Sequence, residues 1–165
     1  MEEKVMLRNM TAIYLLCGEE ILLLYRSGSK VVNNVWVGSA GGHFEETELN
    51  DPRGCVLREL QEELGILECE LTNLQLRYIV LRKVKGEIRQ NYYFFAEIER
   101  NKKDKLISNE GNLKWFSLDE LSGLEMPPSA KQMIEHYLVC GRFDNKIYVG
   151  VSGERSTTFS EFQED

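Results

Sequence analysis

The chain is 165 residues long, 42% hydrophobic and 28% charged, with a formal net charge of −7. That length and balance suit one folded domain with its own core and exclude a disordered or fibrous chain. The acidic charge argues against a general surface for nucleic-acid polymers, and no apolar run approaches the ~18–20 residues that cross a bilayer.

Residues 9–17 (NMTAIYLLC) and 21–26 (ILLLYR) are apolar runs separated by Gly18-Glu19-Glu20, which predicts a hairpin. Arg26 closes the second run, and a guanidinium there suits bidentate contact with a phosphate. Residues 27–30 read as a loop, and 31–37 (VVNNVWV) as a short strand broken at Asn33-Asn34, with Trp36 a wall of the core or of a pocket. Gly38-Ser39-Ala40-Gly41-Gly42 supplies backbone that lets a ligand approach closely. After an acidic segment, strands are expected at 75–84 and 88–99, joined at Lys85-Gly86-Glu87, the second carrying Tyr92, Tyr93, Phe94 and Phe95. Residues 100–105 (RNKKDK) read as a solvated loop. A polar loop at 108–112 carries Glu110 ahead of a strand at 113–116, and a short helix follows near 119–123. Pro127-Pro128 opens a last helix over about 128–140. Residues 146–151 read as a final strand that could pair with Arg142-Phe143, and 156–165 (STTFSEFQED) as a mobile tail.

The acidic segment, Gly41 to Ile66, carries the chemistry. Asp51 is a good N-cap, Pro52 fits the first turn, Val56, Leu57, Leu60 and Leu64 follow helical spacing, and Gly65 suits the C-cap, so a helix is expected over 52–64. Glu59, Glu62 and Glu63 lie at i, i+3, i+4 and share one face of it. Three carboxylates there repel, each like-charge pair costing roughly 0.2–0.5 kcal/mol, and a hard divalent cation with oxygen ligands reverses that sign. Arg58 precedes Glu62 by four residues and can pair with it. The four cysteines show neither CxxC spacing nor a zinc-like Cys/His cluster, and the N-terminal MEEKVMLRNM lacks the apolar core of a signal peptide. Reduced thiols in a cytoplasmic protein are therefore expected.

Residues 41–66 resemble the Nudix box. Arg58-Glu59-Leu60-Gln61-Glu62-Glu63-Leu64-Gly65-Ile66 matches its second half at every position, and Gly42 followed by five residues and Glu48 matches its first half. Three features depart from the pattern. Nine residues instead of seven separate Glu48 from Arg58, Thr47 replaces a glycine, and Ala40 stands where many members have proline. Because Asp51-Pro52 keeps its usual relation to Arg58, the two extra residues are placed in the loop, as Leu49-Asn50.

The resemblance implies an α/β (α+β) Nudix fold, an α/β/α sandwich with a mixed central sheet. It spans residues 1–140, with 141–165 a C-terminal extension of the same domain. It implies Mg²⁺- or Mn²⁺-dependent hydrolysis of a nucleoside diphosphate linked to another group. The metal ligands would be Glu59, Glu62, Glu63 and the carbonyl of Gly41, with Arg58 orienting the glutamates and Glu110 or Glu62 as general base. Arg26, Trp36 and Tyr92 are candidates for substrate contact. The expected substrate is a small nucleotide, first a nucleoside triphosphate of the oxidised-purine (8-oxo-dGTP) type. ADP-ribose, a nucleotide sugar or a dinucleotide is the alternative, and a non-catalytic nucleotide-binding module is the different-class reading. Neither a nucleic-acid polymer nor a membrane is expected as partner, and the chain is expected to be a monomer or homodimer.

Overall fold

The first strand, β1 (Met6–Cys17), divides its length among three neighbours, and the rest of the sheet follows from that division. One edge pairs in parallel with β6 (Glu87–Ile98) along nearly its whole length. The other edge pairs first with β4 (Ala40–His43) at Met10–Ile13, then with β2 (Glu20–Arg26) at Leu15–Cys17. At that fork the fully buried Ser39 accepts from the Leu15 amide (2.9 Å) and donates to the Leu22 carbonyl (2.6 Å), so both of these backbone groups stay paired where β1 changes partner. The computed structural model describes residues 4–28 and 34–165. Ser29, Lys30 and residues 31–33, part of the expected loop and strand, lie outside them.

With β3 (Val35–Val37), β5 (Leu71–Val84), β7 (Asn112–Ser117), β8 (Ile147–Ser152) and β9 (Thr157–Phe162), the sheet has nine strands among the described residues. Its order is β3-β2-β1-β6-β5-β8-β9, with β4 on β1 and β7 on β2. The β1–β6 and β5–β8 pairs are parallel and the others antiparallel, so the sheet is mixed as expected. Helix α1 (Pro52–Leu64) lays Val56, Leu60 and Leu64 on one face, against Ile13, Leu15, Leu22 and Phe94. Helix α2 (Pro128–Val139) lays Ala130, Met133, Ile134 and Tyr137 on the other, against Tyr14, Tyr78 and Phe95. That is the expected α/β/α layering, driven by one apolar stripe on each helix.

The C-terminal region differs from the expectation. Residues 141–143 form a turn of 3₁₀ helix, so β8 pairs with β5 and β9 instead of with Arg142-Phe143. The buried Arg77 causes this by donating to the carbonyls of Lys146 (2.9 Å) and Gly141 (2.6 Å) and to Asp144 (3.0 Å). Residues 157–162 of the expected mobile tail are strand β9. Docking β8 on a core strand leaves an open edge, and β9 covers it while Phe159 packs edge-on against Tyr78 (5.7 Å between centroids).

Candidate active site

Helix α1 begins and ends as its sequence demands. The Asp51 carboxylate accepts from the Gly54 amide (2.8 Å), and Gly65 takes the left-handed conformation (φ 68°) with its amide on the Gln61 carbonyl. A Cβ on Gly54 would push aside the Asp51 carboxylate that makes this cap.

Arg58 organises the acidic face. Its Nε and Nη2 donate to the two oxygens of Glu48 (2.9 Å each), and Nη2 also reaches the His43 carbonyl (3.1 Å). Its Nη1 meets Glu59 (2.9 Å) and Glu62 (3.1 Å). The guanidinium therefore ties the loop of residues 43–50 to the glutamates of α1. Glu48 is 8% exposed, and the Arg58 hydrogen bonds hold its carboxyl below the ordinary range against the opposing effect of burial. The two inserted residues do not disturb this contact. Residues 46–48 make a 3₁₀ turn, Leu49-Asn50 continue it, and the Asp51 amide closes on the Glu48 carbonyl (2.8 Å), returning Glu48 to Arg58.

Glu59 and Glu63 face β4. The Gly41 amide donates to Glu63 (3.1 Å), and the Glu59 carboxylate fills the space where a side chain on Gly42 would sit. Gly41 itself runs against the Thr11 carbonyl, so close approach of backbone demands glycine there, while a side chain on Gly42 would displace the Glu59 carboxylate. Burial, then the nearby charges of Glu59 and Glu110, push the Glu63 carboxyl up to about 7, with the Gly41 amide opposing. Glu59 is also raised, chiefly by burial. Glu62 is half-exposed and turned to Arg58. Among the described residues no three His, Cys, Asp or Glu side chains are gathered into a ready-made metal cage. The donors nonetheless suit a hard, largely hydrated cation, which needs only one or two carboxylates from the protein. Two partly buried carboxylates beside a glycine cradle, both raised above their ordinary range chiefly by burial, are that kind of set. Glu110 belongs to the same place. Asn109 donates from its side chain to the Glu62 carbonyl (3.1 Å) and from its backbone to the Glu63 carbonyl (3.4 Å), docking the loop on the end of α1.

A cavity of about 250 Å³ opens beside Glu63 and Gly41. Arg26 lines it, as do Tyr14, Leu24 and Tyr93, with Pro127 just before α2 and Ala130 on it. Trp36 and Tyr92 do not. Trp36 is packed between Tyr25 (4.9 Å) and Phe116 (4.7 Å), and Tyr92 lies on the α1 side against Phe44 (5.4 Å). The reason is strand parity, since Tyr93, one residue on, points to the opposite face and reaches the cavity. Sequence reasoning missed three further lining residues: His43, Arg82 and Asn91. The available signal was Arg89-Asn91-Tyr93-Phe95, a polar start to a stripe that continues into the core at every second residue.

A protein-family model, the NUDIX domain, matches residues 6–137. The chain belongs to this family and is a hydrolase. No curated protein is significantly similar to the chain. Among solved structures it resembles the MutT protein of Bacillus halodurans (22% identity, TM-score 0.67, 96% of this chain and 99% of that one). It also resembles the ORF135 protein of E. coli (24%, 0.64, 82% and 91%) and a C. elegans Ap4A hydrolase (22%, 0.61, 82% and 96%). At these identities the likeness establishes the fold. No helix among the described residues is long and apolar enough to cross a membrane.

Proposed function

We propose that the chain hydrolyses a nucleoside diphosphate linked to another group, with Mg²⁺ or Mn²⁺ at Glu59, Glu62, Glu63 and the Gly41 carbonyl. A nucleoside triphosphate of the oxidised-purine type is the leading substrate. One observation carries this reading: a cavity of about 250 Å³, of the order of a small-ligand site, has the partly buried acid Glu63 and the cation Arg26 on its walls. The bound cation would offset the charge that builds on the phosphate oxygens. Arg58 holds Glu59 and Glu62 in place, so its loss misaligns the acids without removing them. Arg26 would pair with a phosphate oxygen. Glu110, on the loop docked by Asn109, would take the proton of the attacking water.

The test is turnover of a panel of nucleoside triphosphates, 8-oxo-dGTP, ADP-ribose and dinucleoside polyphosphates with either metal. Monophosphate and pyrophosphate from a triphosphate support the leading reading. Preference for ADP-ribose or a dinucleotide moves the substrate to the alternative class. No turnover of any member defeats the proposal.

A further inference from the structure

The hydrolytic chemistry gives strands β8 and β9 no part, yet the hairpin they form grips the helix that walls the cavity. Pro127, just before α2, and Ala130, in its first turn, line that cavity together with Tyr14 and Tyr93 from the sheet. The first turn of α2 has no side-chain cap of its own. Ser129, Gln132 and His136 lie at i, i+3 and i+7, a stripe beside the one that packs on the core.

That stripe meets the hairpin at two levels. The His136 ring packs against Tyr148 of β8 and Phe159 of β9 (4.6 Å between centroids in each case). One turn earlier the contact is polar. Ser129 Oγ lies 3.3 Å from Ser152 Oγ, Ser152 Oγ lies 2.7 Å from Thr157 Oγ1, and Thr157 is hydrogen-bonded to Gln132. Gln132 Nε2 donates to the Arg155 carbonyl (3.3 Å). A Cβ on Gly150 would meet the Thr157 methyl and the Phe159 ring, so its absence lets both side chains lie over β8 toward α2.

The groups themselves fix the direction of this chain. A carbonyl only accepts, so the Gln132 nitrogen faces Arg155 and its Oε1 faces Thr157. Thr157 gives its single proton to Gln132 and accepts from Ser152, which accepts in turn from Ser129. The relay starts and ends on one turn of α2 and passes through both strands of the hairpin. Successive hydroxyls polarise one another, and Ser129 is 5% exposed, so a break leaves a buried hydroxyl unsatisfied. Ser129 stands between Pro127 and Ala130 in the chain. Moving it moves both lining residues and changes the width of the cavity on their side.

Resting on the nucleotide reading above, we infer that the β8–β9 hairpin is a specificity element. Through Ser129, Ser152, Thr157 and Gln132 it sets the α2 wall of the cavity. It thereby determines how closely the nucleoside of the substrate is held and how well purines are told from pyrimidines. The four are positioning residues, acting through Pro127 and Ala130.

The experiment is calorimetric binding of AMP, GMP, CMP and UMP to the metal-free full chain, with the melting temperature measured alongside, so that the result does not depend on turnover. The native chain should separate purine from pyrimidine monophosphates. Thr157→Val keeps the side chain's shape and removes its hydroxyl. It should weaken the tightest-bound monophosphate about tenfold, the low end of what one methylene of lost pocket contact costs, and draw the four affinities together. Thr157→Ser, which keeps the hydroxyl, should bind as the native chain does. Ser129→Ala should reproduce Thr157→Val, and the double variant should bind no more weakly than either, because both break one chain. If Thr157→Val does not fold, Ser129→Ala and Ser152→Ala carry the same test. Affinities that stay native in these variants, whatever the melting temperature does, show a hairpin that only braces the fold and overturn the inference. Equal affinity of the native chain for all four overturns it as well. A native chain that binds none of them overturns it together with the nucleotide reading, so the two failures are distinct.

Discussion

Two arginines near the same cavity live in opposite circumstances. Arg58 donates to Glu48 through both arms of its fork, and to Glu59, Glu62 and a backbone carbonyl besides. Arg82 stands in a row of arginines with a buried Nε–H that has no acceptor among the described residues. A guanidinium saturated by its own chain is part of the scaffold, and its loss should cost stability. One that its own chain leaves unsatisfied contributes little to the fold, and its loss should be tolerated.

Substitutions should separate these circumstances, beginning with the largest effect. Glu62→Gln on the Arg58 side should lower turnover at least about 100-fold in steady-state assays, because it removes an expected cation ligand. Arg58→Ala should cost about 2–3 kcal/mol in denaturant unfolding, near the low end for breaking a buried ion pair since the side chain is partly exposed. Arg58→Lys should recover only part of this, lacking the fork.

Glu48 gives the comparison a pH dependence. Its folded carboxyl lies below the ordinary 4.5, chiefly through the Arg58 hydrogen bonds. Its stabilisation is therefore full above that unfolded value and is lost as pH falls through the folded one. Melting temperature followed from about pH 6 to pH 3 should drop less steeply in Glu48→Gln than in the native chain. Arg82→Gln should leave the melting temperature unchanged or raise it slightly, since it relieves the Arg82–Arg89 opposition. The smallest effect is at the thiols. Cys55 is fully buried near Arg58, and burial pushes its thiol up to about 11. Of the four cysteines, the exposed Cys69 and Cys140 should react quickly with a thiol reagent, while Cys17 and Cys55 wait for unfolding.

How much of this was legible in the chain follows from how local each signal is. Helix α1 was readable to its ends, because a cap, a proline, a 3.6-residue period and a C-terminal glycine act within a few residues of one another. The bidentate Arg58–Glu48 contact was hidden, because it depends on how an irregular loop folds back across ten positions. Trp36 and Tyr92 were plausible cavity residues by type, but a strand's parity decides the face, and only the sheet fixes parity. The arginine row needed the parallel register of Arg8 with Arg89, about eighty positions apart, which no short-range pattern contains. Strand β9 was missed because its composition is polar, and its partner edge exists only once Arg77 has clamped residues 141–146 onto β5.

In the function proposed above, the α1 carboxylates hold the cation that hydrolysis needs. The most direct test is pyrophosphate release from a nucleoside triphosphate as Mg²⁺ is titrated into the native chain and into Glu62→Gln. The expected result is saturable, metal-dependent release that a chelator abolishes and that Glu62→Gln loses. Release that survives the chelator, or that proceeds equally in Glu62→Gln, would contradict it.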